Sequence, residues 1–223
     1  MKFLKKIETE NDIHLVTERP NLVLINNTKR VLYNAPTVGV SIQHVDGKLY
    51  TTDEWLSNGF DKSEANGVAV LSSKSRFVIH KKQISCVWST SKSFTGEGVT
   101  QTTSSDIAKT DYAGEANTDA ILTDEATVAA HRCANTLFPN GEKGYLPSMG
   151  ELDLVHFYKY EIDNAMTLIG GDKLNQSYWS STMSSNSGAW VYIMNGYGEN
   201  ADAWSITYSY YYALVLSPLN ITL

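Results

Sequence analysis

From Leu174 to Leu223 the chain carries no lysine and no arginine, yet this stretch holds seven of its thirteen tyrosines and three of its five tryptophans. Aromatic residues suit a pleated, half-buried surface, whereas a surface helix draws on charged residues for its outer face. Everything beyond Leu174 therefore reads as strand and loop. Those strands need a layer to pack on, and the earlier sequence must supply it.

Two helices are predicted ahead of it. "TDEATVAAHRCANTLF" takes Thr123 as N-cap, places acids in its first turn and stops at Pro139-Asn140-Gly141. "SMGELDLVHFYKYEIDNAMTLIGG" opens with the capping-box pair Ser148 and Glu151 and ends at Gly170-Gly171. Before them, "VGVSIQHVDGKLYTTDEW" predicts a hairpin turning at Asp46-Gly47 and closed by Trp55. "GVAVLS", "RFVIHKK" and "ISCVWS" read as further strands, and Thr90 to Thr123 as a long ordered loop. Strands, two helices, then strands, without βαβ alternation, define an α+β class with mainly antiparallel sheets. Residues 1–37 stand apart. "IHLVTERPNLVLINNTKRVLYNAP" reads as extended segments or a small hairpin with too few apolar residues to fold alone. The expected division is an arm for attachment or oligomerisation over 1–37 and a binding body over 38–223.

A formal net charge of −6 argues against nucleic acid or an anionic membrane as partner. No apolar run approaches the roughly 20 residues of a membrane-spanning helix, so no membrane insertion is expected. The start, "MKFLKKIETENDIH", lacks the continuous apolar segment of a Sec signal peptide and reads as a chain made in a cytosol. Cys86 and Cys133 have no metal-ligand spacing; free buried thiols are the simplest reading, and a disulfide stays open. His14, His44, His80, His131 and His156 are scattered and read as surface or structural residues. "TGEG" at Thr95 lacks the rest of a phosphate loop. Asp53 and Glu54 sit where a short helix would begin, and Glu151 is explained by its capping box rather than by pairing with Asp153 for acid–base work. "GENAD", Gly198 to Asp202, is too sparse for a dedicated calcium loop. The sequence implies no catalysis, no cofactor and no metal.

In the C-terminal stretch, Trp179, Ala189, Trp190, Ile206 and Leu214-Val215-Leu216 read as core. The rest does not. The run Tyr208-Ser209-Tyr210-Tyr211-Tyr212 places aromatics on both faces of any strand, and "SSNSG" and "YGENAD" are not core segments. Large rings interleaved with Ser, Gly and Asn have the make-up of an antibody-type paratope, in which rings supply contact area and short polar residues adapt their hydrogen bonds. An exposed recognition surface is expected.

"GYLPSMGEL", "AMTLIGG" and "YWSSTMSSNSGAW", together with "VSIQHVDGKLYTTDEW" and "ANGVAVLS", resemble the variable proteins of diversity-generating retroelements, particularly those of gut Bacteroides and their phages. The resemblance covers about residues 38 to 219. It implies a C-type lectin-like fold of the formylglycine-generating-enzyme subtype, whose C-terminal segment displays hypervariable side chains on a rigid scaffold. Trp179, Ser180, Ser181, Thr182, Ala189 and Trp190 match the fixed frame. Ser184, Asn186, Ser187, Tyr192, Tyr197, Asn200, Asp202, Trp204, Tyr208 and Tyr210 fall at or near the diversified positions, within a variable region of about 177–212. Leu214 stands where many relatives have an arginine, and the sugar motifs of calcium-dependent lectins are absent, so calcium-dependent sugar binding is not implied.

These readings together predict a non-enzymatic receptor-binding protein that presents this surface to a cell-surface protein or glycan. The expected setting is a phage tail tip engaged in host recognition, with the arm joining the virion or sister subunits. A bacterial surface or fimbrial subunit is the main alternative, and an enzyme of the formylglycine-generating type the remote one.

Overall fold

The computed structural model describes residues 3–9, 12–17, 38–194, 200–208 and 211–219. The chain divides into a body, Val38–Asn220, and a separate unit that contains two N-terminal strands. In that unit β1 (Phe3–Thr9) pairs antiparallel with β2 (Asp12–Thr17), from Phe3↔Thr17 to Thr9↔Asp12. The pair begins ahead of the segment read as a hairpin from sequence, most of which lies outside the described residues.

The body opens with β3 (Gly39–His44), β4 (Leu49–Tyr50) and α1 (Thr52–Asn58). Gly47 takes φ 88° at the hairpin turn, a conformation that the Asp-Gly pair foretells. Thr51 and Glu54 cap α1 reciprocally: Glu54 N–H donates to Thr51 Oγ1 at 3.2 Å and Thr51 N–H to Glu54 Oε2 at 2.9 Å. Trp55 is buried where α1 meets the hairpin. β5 (Ala65–Leu71) and β6 (Arg76–Ile79) follow, and with the last strand, β12 (Leu216–Pro218), they complete an antiparallel sheet in the order β12-β6-β5-β3-β4.

β7 (Ile84–Ser85) starts a second sheet, but the long segment after it is not a loop throughout. It contains α2 (Ser105–Ala108) and α3 (Gly114–Ile121). Poor intrinsic helix formers make α3 hard to see in sequence. Tertiary contacts fix it: Asn117 Nδ2 donates to Asp111 Oδ2 at 2.8 Å, and Thr118 Oγ1 to the Leu146 carbonyl at 3.1 Å. The next helix, α4 (Val128–Ala134), starts later than the sequence suggests. Thr123 and Asp124 instead continue in turns off the end of α3, and Thr127 Oγ1 donates back to the Ile121 carbonyl. The predicted second helix is two, α5 (Met149–Phe157) and α6 (Lys159–Ile169), broken at Tyr158 (φ −98°, ψ 16°). α6 ends on Gly170 in the left-handed region, as its position predicts.

β8 (Ser177–Ser185), β9 (Gly188–Ile193), β10 (Asn200–Ser205) and β11 (Tyr212–Ala213) build the rest of the second sheet, ordered β10-β9-β8-β11-β7. Helices α5 and α6 bury Leu152, Val155, Ile162 and Met166 in one core with Val68 and Phe77 of the first sheet and Tyr178 and Tyr192 of the second. The body is α+β, with antiparallel-rich sheets and few helices. No helix among the described residues is long and apolar enough to cross a membrane.

Candidate functional site

β8 is interrupted by "SST". Trp179 pairs with Val191 and Met183 with Ala189, so Ser180, Ser181 and Thr182 span the place of Trp190 alone. Such a bulge strands backbone groups, and the hydroxyls and neighbouring strands take them up. Ser180 Oγ donates to the Trp190 carbonyl at 2.9 Å, Ser181 N–H to the Pro147 carbonyl at 2.7 Å, and Thr182 Oγ1 to Asp111 Oδ2 at 2.7 Å. The three indoles are pinned to or beside the same strand. Trp88 Nε1 donates to the Ser180 carbonyl, Trp179 Nε1 to the Cys86 carbonyl and Trp190 Nε1 to the Thr102 carbonyl, at 2.9, 3.0 and 2.9 Å. Each residue read as fixed frame is buried. So are Ile206 and Leu214–Leu216.

β10 lies at the edge of this sheet. Asp202 and Trp204 stand opposite Val191 and Ala189, on the sheet face that also carries Trp179. Asp202 is exposed and Trp204 half-buried. The Trp204 ring meets Tyr208 at 5.0 Å and Tyr211 at 5.6 Å between centroids, and Tyr211 in turn meets buried Trp179 at 5.0 Å. An aromatic column thus runs from the core to Tyr208, which is 38% exposed. At the end of β10, Ile206 N–H donates to the Ser187 carbonyl at 3.2 Å, and Phe94 N–H to the Asn186 carbonyl at 2.7 Å. The β8–β9 turn is therefore held by its backbone, while the Asn186 and Ser187 side chains face solvent beside exposed Ser205 and Thr207.

Of the ten residues expected to bind ligand, five come together here: Asn186, Ser187, Asp202, Trp204 and Tyr208. Two are placed otherwise. Tyr192 is fully buried, its hydroxyl donating to Asp153 Oδ1 at 3.1 Å and its ring 5.3 Å from His156. Its position opposite Tyr178 on the helix-facing side of the sheet explains this. Ser184 is also buried, under the turn. Asn200 begins β10 opposite Ile193; its side chain, and Tyr197 and Tyr210 entirely, lie outside the described residues. Tyr211 was missed. Its ring links surface to core, and the only sequence sign is its place inside a tyrosine run whose facing cannot be read from period.

Burial, with Tyr208 and Asp202 nearby, pushes the Tyr211 phenol up to about 12. The face offers rings, hydroxyls, an amide and a carboxylate: groups that bind. Cys86 and Cys133 are free and buried. Burial pushes the Cys86 thiol up to about 11 and that of Cys133 well up, leaving little nucleophilic thiolate. Among the described residues no group of three or more His, Cys, Asp or Glu is placed to hold a metal; Gly198 and Glu199 of the sparse acidic segment lie outside them.

A fimbrial protein from Bacteroides ovatus, known from its crystal structure, shares the fold: the TM-score is 0.51 at 14% sequence identity, over 81% of this chain and 48% of that one. The chain thus spans about half the length of this neighbour. At such identity the likeness concerns fold alone. No protein-family model matches the sequence, and no curated protein does.

Proposed function

We propose that the body is a C-type lectin-like domain that displays a diversified face, as a variable protein of a diversity-generating retroelement does, and binds a cell-surface target without catalysis. One observation carries this reading. Residues matching the fixed frame are all buried, while of those assigned to variation in the turn and on β10, Asn186, Ser187 and Asp202 are exposed and Trp204 is half-buried. Such a division lets the face change while the frame keeps its hydrogen bonds. A phage tail tip is the setting proposed, with residues 1–37 as the attachment segment. The raised thiols speak against chemistry of the formylglycine-generating type. The fold shared with a fimbrial protein favours a second reading, a bacterial surface or fimbrial subunit that uses the same face in assembly.

Labelled full-length protein applied to a panel of gut Bacteroides strains tests the proposal by flow cytometry. Tyr208→Ala combined with Ser187→Arg should cut retention at least ~10-fold, about 1.4 kcal/mol. The melting temperature should stay within about 3 °C, since both sites are exposed. Retention indifferent to these substitutions, or retention on no strain, contradicts the reading. Self-assembly of the chain that the same pair abolishes would favour the fimbrial alternative.

A further inference from the structure

The aromatic face sits in a region without basic side chains. No lysine or arginine follows Lys173 in the sequence, and the chain as a whole carries −6. The cations that described contacts bring toward this sheet lie at its margins or, like Lys109 over the Tyr192 ring at 5.7 Å, on its opposite, helix-facing side. Arg132 donates to the Ser85 carbonyl at 3.1 Å, on β7, the edge opposite β10. Lys92 and Glu97, one cation and one anion, are both exposed on the loop that holds the Asn186 turn. Along β10 itself the described charge is Asp202 alone.

The rings beside Asp202 are tilted rather than stacked flat. Trp204 and Tyr208 meet at 36°, Tyr208 and Tyr211 at 45°, and Trp204 and Tyr211 at 75°. Trp204 is half-buried and Tyr208 38% exposed, so the cluster is partly open to water, and an indole ring is the strongest attractor for a cation among side chains. A carboxylate two residues along the same strand face adds Coulomb attraction of the same sign. An anionic ligand meets repulsion from both.

β10 is also the edge strand of its sheet among the described residues. Edge strands are commonly blunted by lysine, proline or a covering element. β10, "NADAWS", has neither lysine nor proline, its middle residue Ala203 is exposed, and no described strand pairs with its outer side. Ala203 N–H turns back to Asp202 Oδ1 at 2.8 Å. An extended peptide adding to such an edge gains main-chain hydrogen bonds, and alternate side chains then fall on one face. On cell surfaces, positive charge joined to a strand-forming backbone is lysine or arginine in protein.

We infer, resting on the receptor-binding reading above, that the partner is a protein whose extended basic segment adds to β10 and sets alternate lysine or arginine side chains over Trp204 and Tyr208 beside Asp202. A random dodecapeptide library displayed on phage and selected on the immobilised full-length chain tests it. Recovered peptides should be enriched in Lys and Arg at alternate positions relative to the unselected library. Their binding should fall at least ~10-fold with Asp202→Lys or Tyr208→Ala, and as strongly between about 50 and about 500 mM salt, where screening shortens the reach of charge. Asp202 is exposed, so the melting temperature of Asp202→Lys reports whether the variant is folded. Peptides without basic enrichment, or binding indifferent to Asp202→Lys, overturn the inference. Tyr208-dependent capture of neutral peptides, or of neutral oligosaccharides on a glycan array, overturns it while leaving the receptor-binding reading in place. No Tyr208-dependent capture of any kind removes both.

Discussion

Replacing Tyr192 by alanine should cost the body about 3–5 kcal/mol, the range for deleting a buried aromatic ring. Tyr192 belongs by sequence to the diversified set, yet its ring has no exposed surface, packs near His156 and lies under the Lys109 ammonium at 5.7 Å. Its hydroxyl also donates to Asp153, so truncation leaves both a cavity and a carboxylate without that donor. At roughly 2–4 °C per kcal/mol for a domain of this size, the melting temperature should fall by about 6–20 °C. Tyr192→Phe should keep most of that stability. An unchanged melting temperature for Tyr192→Ala, with loss of target binding, would return this residue to the recognition surface.

The second large effect is a loss of stability as pH rises. Glu151 is 2% exposed and has no cation among its hydrogen-bond partners. Burial pushes its carboxyl up to about 7 from an ordinary 4.5, outweighing the Ser148 N–H and the Tyr145, Ser148 and Ser75 hydroxyls that favour the ionised form. The folded state thus holds this proton more tightly than the unfolded chain. Its contribution is fully present below pH 4.5 and is lost as pH rises through about 7. The difference corresponds to something on the order of 3 kcal/mol. Denaturant unfolding at successive pH values should show this decline, and Glu151→Gln should flatten it over the same window. A decline of equal slope in the variant assigns it to other groups.

Sequence reasoning reached the elements whose cause is local. The turn at Gly47, the box at Ser148 and the stop at Gly170 each depend on residues within a few positions, so short motifs report them. The helix α3 depends on Leu146 and Thr100, distant in the chain, as well as on nearby Asp111, and no short motif reports these contacts. The break at Tyr158 has no proline or glycine to mark it. At the site, Trp179, Trp190 and the "SST" bulge were legible because their pattern is fixed. Facing was not. In a strand every second residue turns over, so Tyr192 and Val191 exchange faces with a register shift of one, and the register is set by a bulge on the neighbouring strand. Tyr211 and Tyr208 likewise differ only in how a bend after Ile206 carries them: one ring on Trp179, the other toward water.

The central claim is that frame and display face are energetically separable. Thermal unfolding of one variant in which Asn186, Ser187, Asp202, Ser205, Thr207 and Tyr208 are all exchanged for residues of different size and charge addresses it directly. Exposed positions each change stability by about 0.5 kcal/mol or less, at most about 3 kcal/mol over the six, so the account predicts a single cooperative transition within about 12 °C of the parent. A transition lower by more than about 15 °C, a drop of the size buried residues give, would mean that these side chains hold the fold together and are not free to vary for a partner.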